Sequence, residues 1–320
     1  MVMGNNHRMY QATRPSRSAF LNVRTLRYHV RQWGVEPSQA TQPPLVLLHG
    51  WMDVSASWQF VVDALETGFL AGRTVLAPDW RGFGLTQNGS GDSYWFPDYL
   101  ADLDALLDHY APGQSVDLVG HSMGGNVVMM YAGVRPQRVR RLVNLEGFGM
   151  PATRAAQAPG RYAQWLNELK TFHRGELALK SYADLHGVAR RLMKTNPRLP
   201  LARALWLAPH WAEERVQPDG RPTWHIRGDD AHKLTSAQLY RADETLALYQ
   251  RISAPTLAVE ASDDSLAAWW KGGYTLAEYH ERLKSVPNAR IAVIQDAGHM
   301  LHHDQPQALA RLLEDFVSAP

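Results

Sequence analysis

Six short apolar runs constrain this 320-residue chain more than anything else in it. They lie at 45–48, 74–77, 116–119, 141–145, 255–259 and 289–294. Each is too short for a buried helix, and only Thr74, Asp117, Arg141, Asn144, Thr256 and Arg290 interrupt or begin them with a polar side chain. Such runs suit strands covered on both faces, as in a parallel sheet. The residues between them keep helical time. Phe96, Tyr99, Leu100, Leu103, Leu106, Leu107 and Tyr110 recur at steps of three and four and line one helix face. An apolar stretch follows Ser122 as far as Tyr131, and another helix is expected over 305–317. Strands alternating with helices give βαβ units, so the expected class is α/β with a mostly parallel central sheet flanked by helices. Residues 19–33 alternate roughly and read as a strand pair leading into it.

The rhythm stops between about 149 and 250. Helical segments at 162–172, 182–194 and 199–211 replace it, and Trp165, Trp206, Trp211 and Trp224 fall among them. Both flanks return to strands of one sheet, so the stretch is expected to be an inserted helical lid, or cap. The expected organisation is a core of 19–148 and 251–320, a cap of 149–250, and a disordered basic tail over 1–18. Six arginines precede the first acid, Glu36. No apolar signal segment follows them, which makes the cytoplasm the expected compartment.

Composition removes whole classes of chemistry. The chain has no cysteine, so thiolate nucleophiles, disulfide scaffolds and Cys-based metal sites are excluded. Its 33 basic and 31 acidic side chains leave a net charge of +2. That balance points to neither a nucleic acid nor a membrane surface as partner.

The chemistry concentrates at Gly120-His121-Ser122-Met123-Gly124-Gly125. This G-x-S-x-G follows one strand and opens a helix, the context of a nucleophile elbow. The small residues at 120 and 124 allow close chain approach. The helix N-terminus offers free N–H groups to a developing oxyanion, with that of Met123 first. Serine needs a base, and His299 follows the sixth strand in Asp296-Ala297-Gly298-His299. His302 and His303 read as helix-start or surface residues. The histidine needs a carboxylate, and chain order places it between serine and histidine. Asp264 is preferred, with Asp263 second. Glu146, which also ends a strand, is third, and a capping or lid-contact role is favoured for it. The loop His49-Gly50-Trp51-Met52-Asp53 closes the first core strand and can supply a second oxyanion donor from the Trp51 N–H. Trp51, His121, Glu146, Trp206, Trp211 and Trp269 are the expected pocket residues, with Trp270 a further option.

Taken together, these motifs resemble the α/β-hydrolase family over roughly 20–317. Asp79-Trp80-Arg81-Gly82-Phe83-Gly84 and the stretch 255–264 add to the likeness. Family members place the acid about where Asp264 falls, three residues after a glycine that is Ala261 here. His49 to Asp53, Leu145-Glu146-Gly147-Phe148-Gly149 and Asp230-Ala231-His232-Lys233-Leu234 resemble the serine hydrolase-like branch more narrowly. The resemblance implies acyl transfer, because relatives that form alkyl-enzyme esters carry an aspartate where Ser122 stands. The expected activity is hydrolysis of a small-molecule carboxylic ester through an acyl-enzyme, with no metal or organic cofactor. A carbon–carbon hydrolase of dienoic keto acids is one alternative, in which Arg190, Arg191 or Lys194 would meet the substrate carboxylate. A hydroxynitrile lyase, for which no residue here speaks, and a slow ligand-binding homologue are the others.

Overall fold

The computed structural model describes residues 9–87 and 91–319. The six apolar runs become strands of one eight-stranded sheet. In chain order its members are β1 (Arg17–Val23), β2 (Leu26–Gly34), β3 (Leu45–Leu48), β4 (Thr74–Pro78), β5 (Val116–His121) and β6 (Val139–Leu145). After three strands of a separate small sheet, β7 (Ser181–Tyr182), β8 (Ala212–Val216) and β9 (Pro222–Ile226), come β10 (Thr256–Ala261) and β11 (Ala289–Ile294). The large sheet runs β1-β2-β4-β3-β5-β6-β10-β11, antiparallel at β1–β2 and β2–β4 and parallel from β4 to β11.

Strands β3, β4, β5 and β10 are buried along their whole length, which is why they read as unbroken apolar runs. Their side chains alternate between two cores. Val46, Leu48, Leu76 and Leu118 face one that also holds Leu103, Leu107, Val127 and Val128, from the helices Pro97–Tyr110 and Met123–Val134. Leu45, Leu47, Val75 and Val119 face the other, with Trp58, Val61, Leu309 and Leu313. The last two come from the terminal helix Pro306–Ser318. Strand β11 is the edge strand, and Ile291 and Val293 stay exposed on it.

The strand order reverses beside β3: β4 lies on one side and β5 on the other. In open parallel sheets, the crevice outside the strand ends at such a switch point is where ligands bind. Here the loops leaving β3 and β5 are His49–Asp53 and the Ser122 turn.

Residues 149–250 are not purely helical. The helices Ala158–His173, Leu185–Thr195 and Leu201–Trp211 form as expected, but β7, β9 and β8 add an antiparallel three-stranded sheet. Those strands are short and mostly half-exposed, so they carry no apolar run to betray them. Val188, Leu192, Leu199, Ala204 and Leu207 of this insertion pack against Val54 and Phe60, just beyond β3. Phe83 bridges to Gly228, and Arg198 forms a two-pronged ion pair with Asp263.

Residues 1–8 of the basic segment lie outside the described residues. The stretch that follows is held against the core: the Tyr10 hydroxyl donates to Asp63, its ring packs edge-on to Phe60 and Trp206, and β1 begins at Arg17. No helix among the described residues is long and apolar enough to cross a membrane.

Candidate active site

Ser122 stands between β5 and the helix Met123–Val134 with φ 54° and ψ −115°, a conformation that costs an L-residue of order 1–3 kcal/mol. The glycines around it hold that turn. A Cβ on Gly120 would run into the Gly124 carbonyl, and one on Gly124 into the carbonyls of Leu48 and His49. The helix is thereby pressed onto the end of β3. Gly50 completes the approach: a Cβ there would sit 3.1 Å from the Ser122 Cβ. The backbone N–H groups of Trp51 and Met123 donate to no acceptor among the described residues. They flank Ser122 from two chain segments.

The His49 loop is itself pinned. His49 Nδ1 donates to the Gly50 carbonyl at 2.7 Å, and its Nε2 accepts from the Trp80 N–H at 2.9 Å. The Trp80 indole N–H returns a bond to the His49 carbonyl at 3.0 Å. Asp79, buried beside it, accepts from His29 Nδ1 and from the N–H groups of Ser55 and Leu85. The Asp79–Gly84 motif thus serves as scaffolding under the loop.

His299 follows β11 on a turn whose Gly298 N–H is held by Asp304 at 2.9 Å. Its Nδ1 lies 3.3 Å from Glu146 Oε2. Glu146 ends β6 with φ 55°. Its Oε1 accepts from the Ala261 N–H at 2.7 Å, and its Oε2 accepts from the Ser265 hydroxyl at 2.7 Å. Burial pushes the Glu146 carboxyl up to about 7, against the pull of those two donors. Burial also pushes His299 down, to about 4, so the imidazole is uncharged at neutral pH.

The preferred acid is elsewhere. Asp264 N-caps the short helix Ser265–Trp270 by accepting from the Ala267 N–H at 2.8 Å. Asp263 is taken by Arg198, and Glu260 by His280 at 2.6 Å. Asp263 and Asp264 after β10, and Glu260 within it, therefore have other partners, and the carboxylate beside His299 follows the neighbouring strand β6. The sequence holds a usable signal for this. Glu146 is also between serine and histidine in chain order, and Gly147 lets the chain turn sharply after it. A Cβ on Gly147 would collide with Asn144 Oδ1, which accepts the Gly147 N–H at 3.0 Å.

Behind Ser122 lies a buried polar cluster that the sequence did not reveal. His121 Nε2 donates to the His299 carbonyl at 2.7 Å, leaving Nδ1 as a bare acceptor. Asp53, His121 and His302 each bring one ligand atom within 4.8 Å of the others, and all three are buried. The donor set, one carboxylate and two imidazoles, suits a transition-metal ion or an enclosed water. His302 and His303 are thus not surface residues: each is less than 3% exposed. Burial holds His121 near 3, His302 near 4 and His303 near 3, all neutral. Burial works to raise Asp53, but the contact with His302 and the surrounding imidazoles win and hold it below the usual carboxylate range.

The tryptophans divide. Trp269 sets its ring edge-on to His299, 4.4 Å between centroids. Trp211 donates to Asp53 at 3.1 Å and lines a cavity of about 720 Å³. Trp51, half-exposed, lines both that cavity and one of about 380 Å³ that also meets Met123 and Trp165. Trp206 does not reach either cavity; it packs with Tyr10, Phe60 and His210. Trp270 packs against the core beneath the site.

Comparison with known proteins fits this arrangement. A family model described as alpha/beta hydrolase fold matches residues 43–306. A serine hydrolase-like protein of Danio rerio is 24% identical over 294 residues, covering 89% of this chain and 86% of its own. A cis-3-alkyl-4-alkyloxetan-2-one decarboxylase of Shewanella oneidensis is 26% identical over 288 residues, covering 86% of this chain and 82% of its own. Among solved structures, the thioesterase domain from the curacin biosynthetic pathway superposes with a TM-score of 0.76 at 22% identity, over 93% of this chain and 99% of that one. Other relatives are named for different reactions, among them a 2-hydroxy-6-oxo-2,4-heptadienoate hydrolase of Pseudomonas putida, matched over 33% of this chain, and an sn-1-specific diacylglycerol lipase of Mus musculus. With a family model covering most of its length, the chain belongs to the α/β-hydrolase fold family.

Proposed function

We propose that the protein is a serine hydrolase of carboxylic esters, with Ser122 as nucleophile, His299 as general base and Glu146 as the acid of the triad. The observation that carries this is the contact of His299 with Glu146, made while the His299 carbonyl is held at 2.7 Å by His121, the residue next to Ser122. Ser122 stands strained at the end of β5, Glu146 is buried at the end of β6, and His299 follows β11 with Nδ1 toward that carboxylate. Three such groups from separate segments are the constellation that acyl transfer requires.

In the reaction, Ser122 Oγ adds to the ester carbonyl as its proton passes to His299 Nε2. Glu146 holds the ring by its Nδ1–H and stabilises the imidazolium. The N–H groups of Trp51 and Met123 take the oxyanion, each worth about 3 kcal/mol in the transition state. Collapse breaks the C–O bond, and His299 returns the proton to the departing alcohol. Water then repeats the cycle on the acyl-enzyme. Residues 149–250 act as the cap over this face.

The test is turnover of p-nitrophenyl acetate, butyrate and octanoate. The expected result is a burst of p-nitrophenol near one equivalent per enzyme, followed by slower turnover. Ser122→Ala should abolish the burst and lower kcat about 10⁴-fold or more. Unchanged turnover in that variant overturns the assignment.

A further inference from the structure

We propose that the natural acyl donor has two unlike halves, an apolar acyl group and a phosphorylated, polyanionic leaving group, as in a phosphorylated thioester. This rests on the reading of Ser122 as an acylated nucleophile and adds the substrate class to it.

Two cavities meet at Trp51. The smaller, about 380 Å³, reaches Met123 and is walled by aromatic rings, among them Tyr94, Trp95, Phe96 and Trp165. The larger, about 720 Å³, has a different wall: Lys180, Arg190, Arg191, Lys194 and Lys233 line it, and no aspartate or glutamate does. The residue common to both, Trp51, offers its backbone N–H beside Ser122. A scissile carbonyl at Ser122 would therefore send one substituent into the aromatic cavity and the other among the cations.

Several exposed arginines of residues 149–250 sit beside acids: Arg174 with Glu176, Arg215 with Glu213, Arg221 with Asp219, and Arg241 with Asp243. What marks the larger cavity is five cations on one concave wall with no acid among its lining residues. The side chains of Lys180, Arg190, Arg191 and Lys194 have no ion-pair or hydrogen-bond partner among the described residues. Lys233 donates only to the Ala178 carbonyl at 3.2 Å. Arg190 and Lys194 stand four apart on the helix Leu185–Thr195, where like charges repel and destabilise the helix. One substrate carboxylate needs one such cation. Five around a single concave surface match a ligand bearing several negative charges, such as phosphates.

For a thioester the step balances simply. Ser122 Oγ forms the acyl bond, the C–S bond breaks, and the thiolate takes the proton held by His299. Water then releases the acid and restores the serine.

The experiment compares kcat/KM for butyryl-coenzyme A with that for S-butyryl-N-acetylcysteamine, which has the same thioester and no phosphate. The expected preference for the phosphorylated donor is tenfold or more at low salt, shrinking as salt rises. The double variant Arg190→Glu, Lys194→Glu should reduce that ratio at least tenfold. Mono-p-nitrophenyl succinate separates a single carboxylate on the acyl half from phosphates on the leaving group. Equal turnover of the two thioesters, a ratio untouched by charge reversal, or preference for the succinate over the coenzyme A ester overturns the proposal while leaving Ser122 as nucleophile. Calorimetric binding of coenzyme A to Ser122→Ala reads the cationic cavity without turnover. Salt-sensitive binding lost on charge reversal supports the proposal even if no ester is hydrolysed, and absence of binding overturns it.

Discussion

The serine turn and the cationic wall both adjoin the loop that carries Trp51, yet they are built on opposite principles. Around Ser122 every position is committed. Gly120, Gly124, Gly125 and Gly147 have no room for a Cβ, and Ser122 and Glu146 hold left-handed backbone angles. Every hydrogen-bonding atom of the Glu146 carboxylate is used. On the wall, the side chains of Lys180, Arg190, Arg191 and Lys194 are exposed and unpaired. The first region is fixed by backbone contact, so few sequences can make it. The second is fixed by charge alone, so many sequences can, and it is free to follow the substrate.

The largest expected effect breaks the first region chemically. Glu146→Gln keeps the shape but cannot stabilise the imidazolium, and should lower kcat about 10³-fold with KM little changed. Asp264→Asn should leave kcat within about twofold, because Asp264 touches the Ser265–Trp270 helix and not His299. Steady-state kinetics of the two variants side by side separates the assignments.

A steric change sharpens the contrast next. Gly124→Ala forces a methyl into the carbonyls of Leu48 and His49, where overpacking costs about 1–3 kcal/mol or more. Thermal unfolding should show a clear fall in Tm. Arg190→Ala, on the wall, should stay within about 0.5 kcal/mol of the parent.

The pH dependence follows from the buried pair. Below about pH 7 a proton is held by Glu146 and His299 together, and the uncharged carboxyl no longer supports the base. Activity on a neutral ester should therefore fall about tenfold per pH unit below that point, and Glu146→Gln should move the limb. A profile flat from pH 5 to 8 contradicts the pairing.

The pH dependence of stability is set by other groups. His121, His302 and His303 are held near 3 to 4 in the fold, against about 6.5 in the unfolded chain. The unfolded state binds their protons first. Their contribution is whole above pH 6.5 and is lost as pH falls toward 4. Thermal unfolding between pH 7.5 and 4.5 should show Tm falling with pH across that window.

The sequence was legible where local backbone demands are strong. The doubly buried strands are visible as apolar runs, and Gly120 to Gly125 carries the strand-to-helix turn in its own small residues. His299 is found by its place after the last strand. The carboxylate beside His299 was harder to foresee, because positions after β6 and after β10 both lie at strand ends on the way to that histidine, and only side-chain direction decides which one meets it. Asp264 turns into its own helix and Glu146 turns inward. His302 and Asp53 escaped for a similar reason: they meet through a fold in which neither has a local partner. Strands β7 to β9 were missed because half-exposed short strands carry no hydrophobic period.

The most direct measurement is the rate of fluorophosphonate labelling, read by intact mass, for the parent, Ser122→Ala, Glu146→Gln and Asp264→Asn. The expected result is one adduct on the parent, none on Ser122→Ala, labelling slowed about 10³-fold in Glu146→Gln, and near-parental labelling in Asp264→Asn. An adduct that survives in Ser122→Ala contradicts the nucleophile. Slow labelling in Asp264→Asn beside normal labelling in Glu146→Gln contradicts the assignment of the acid.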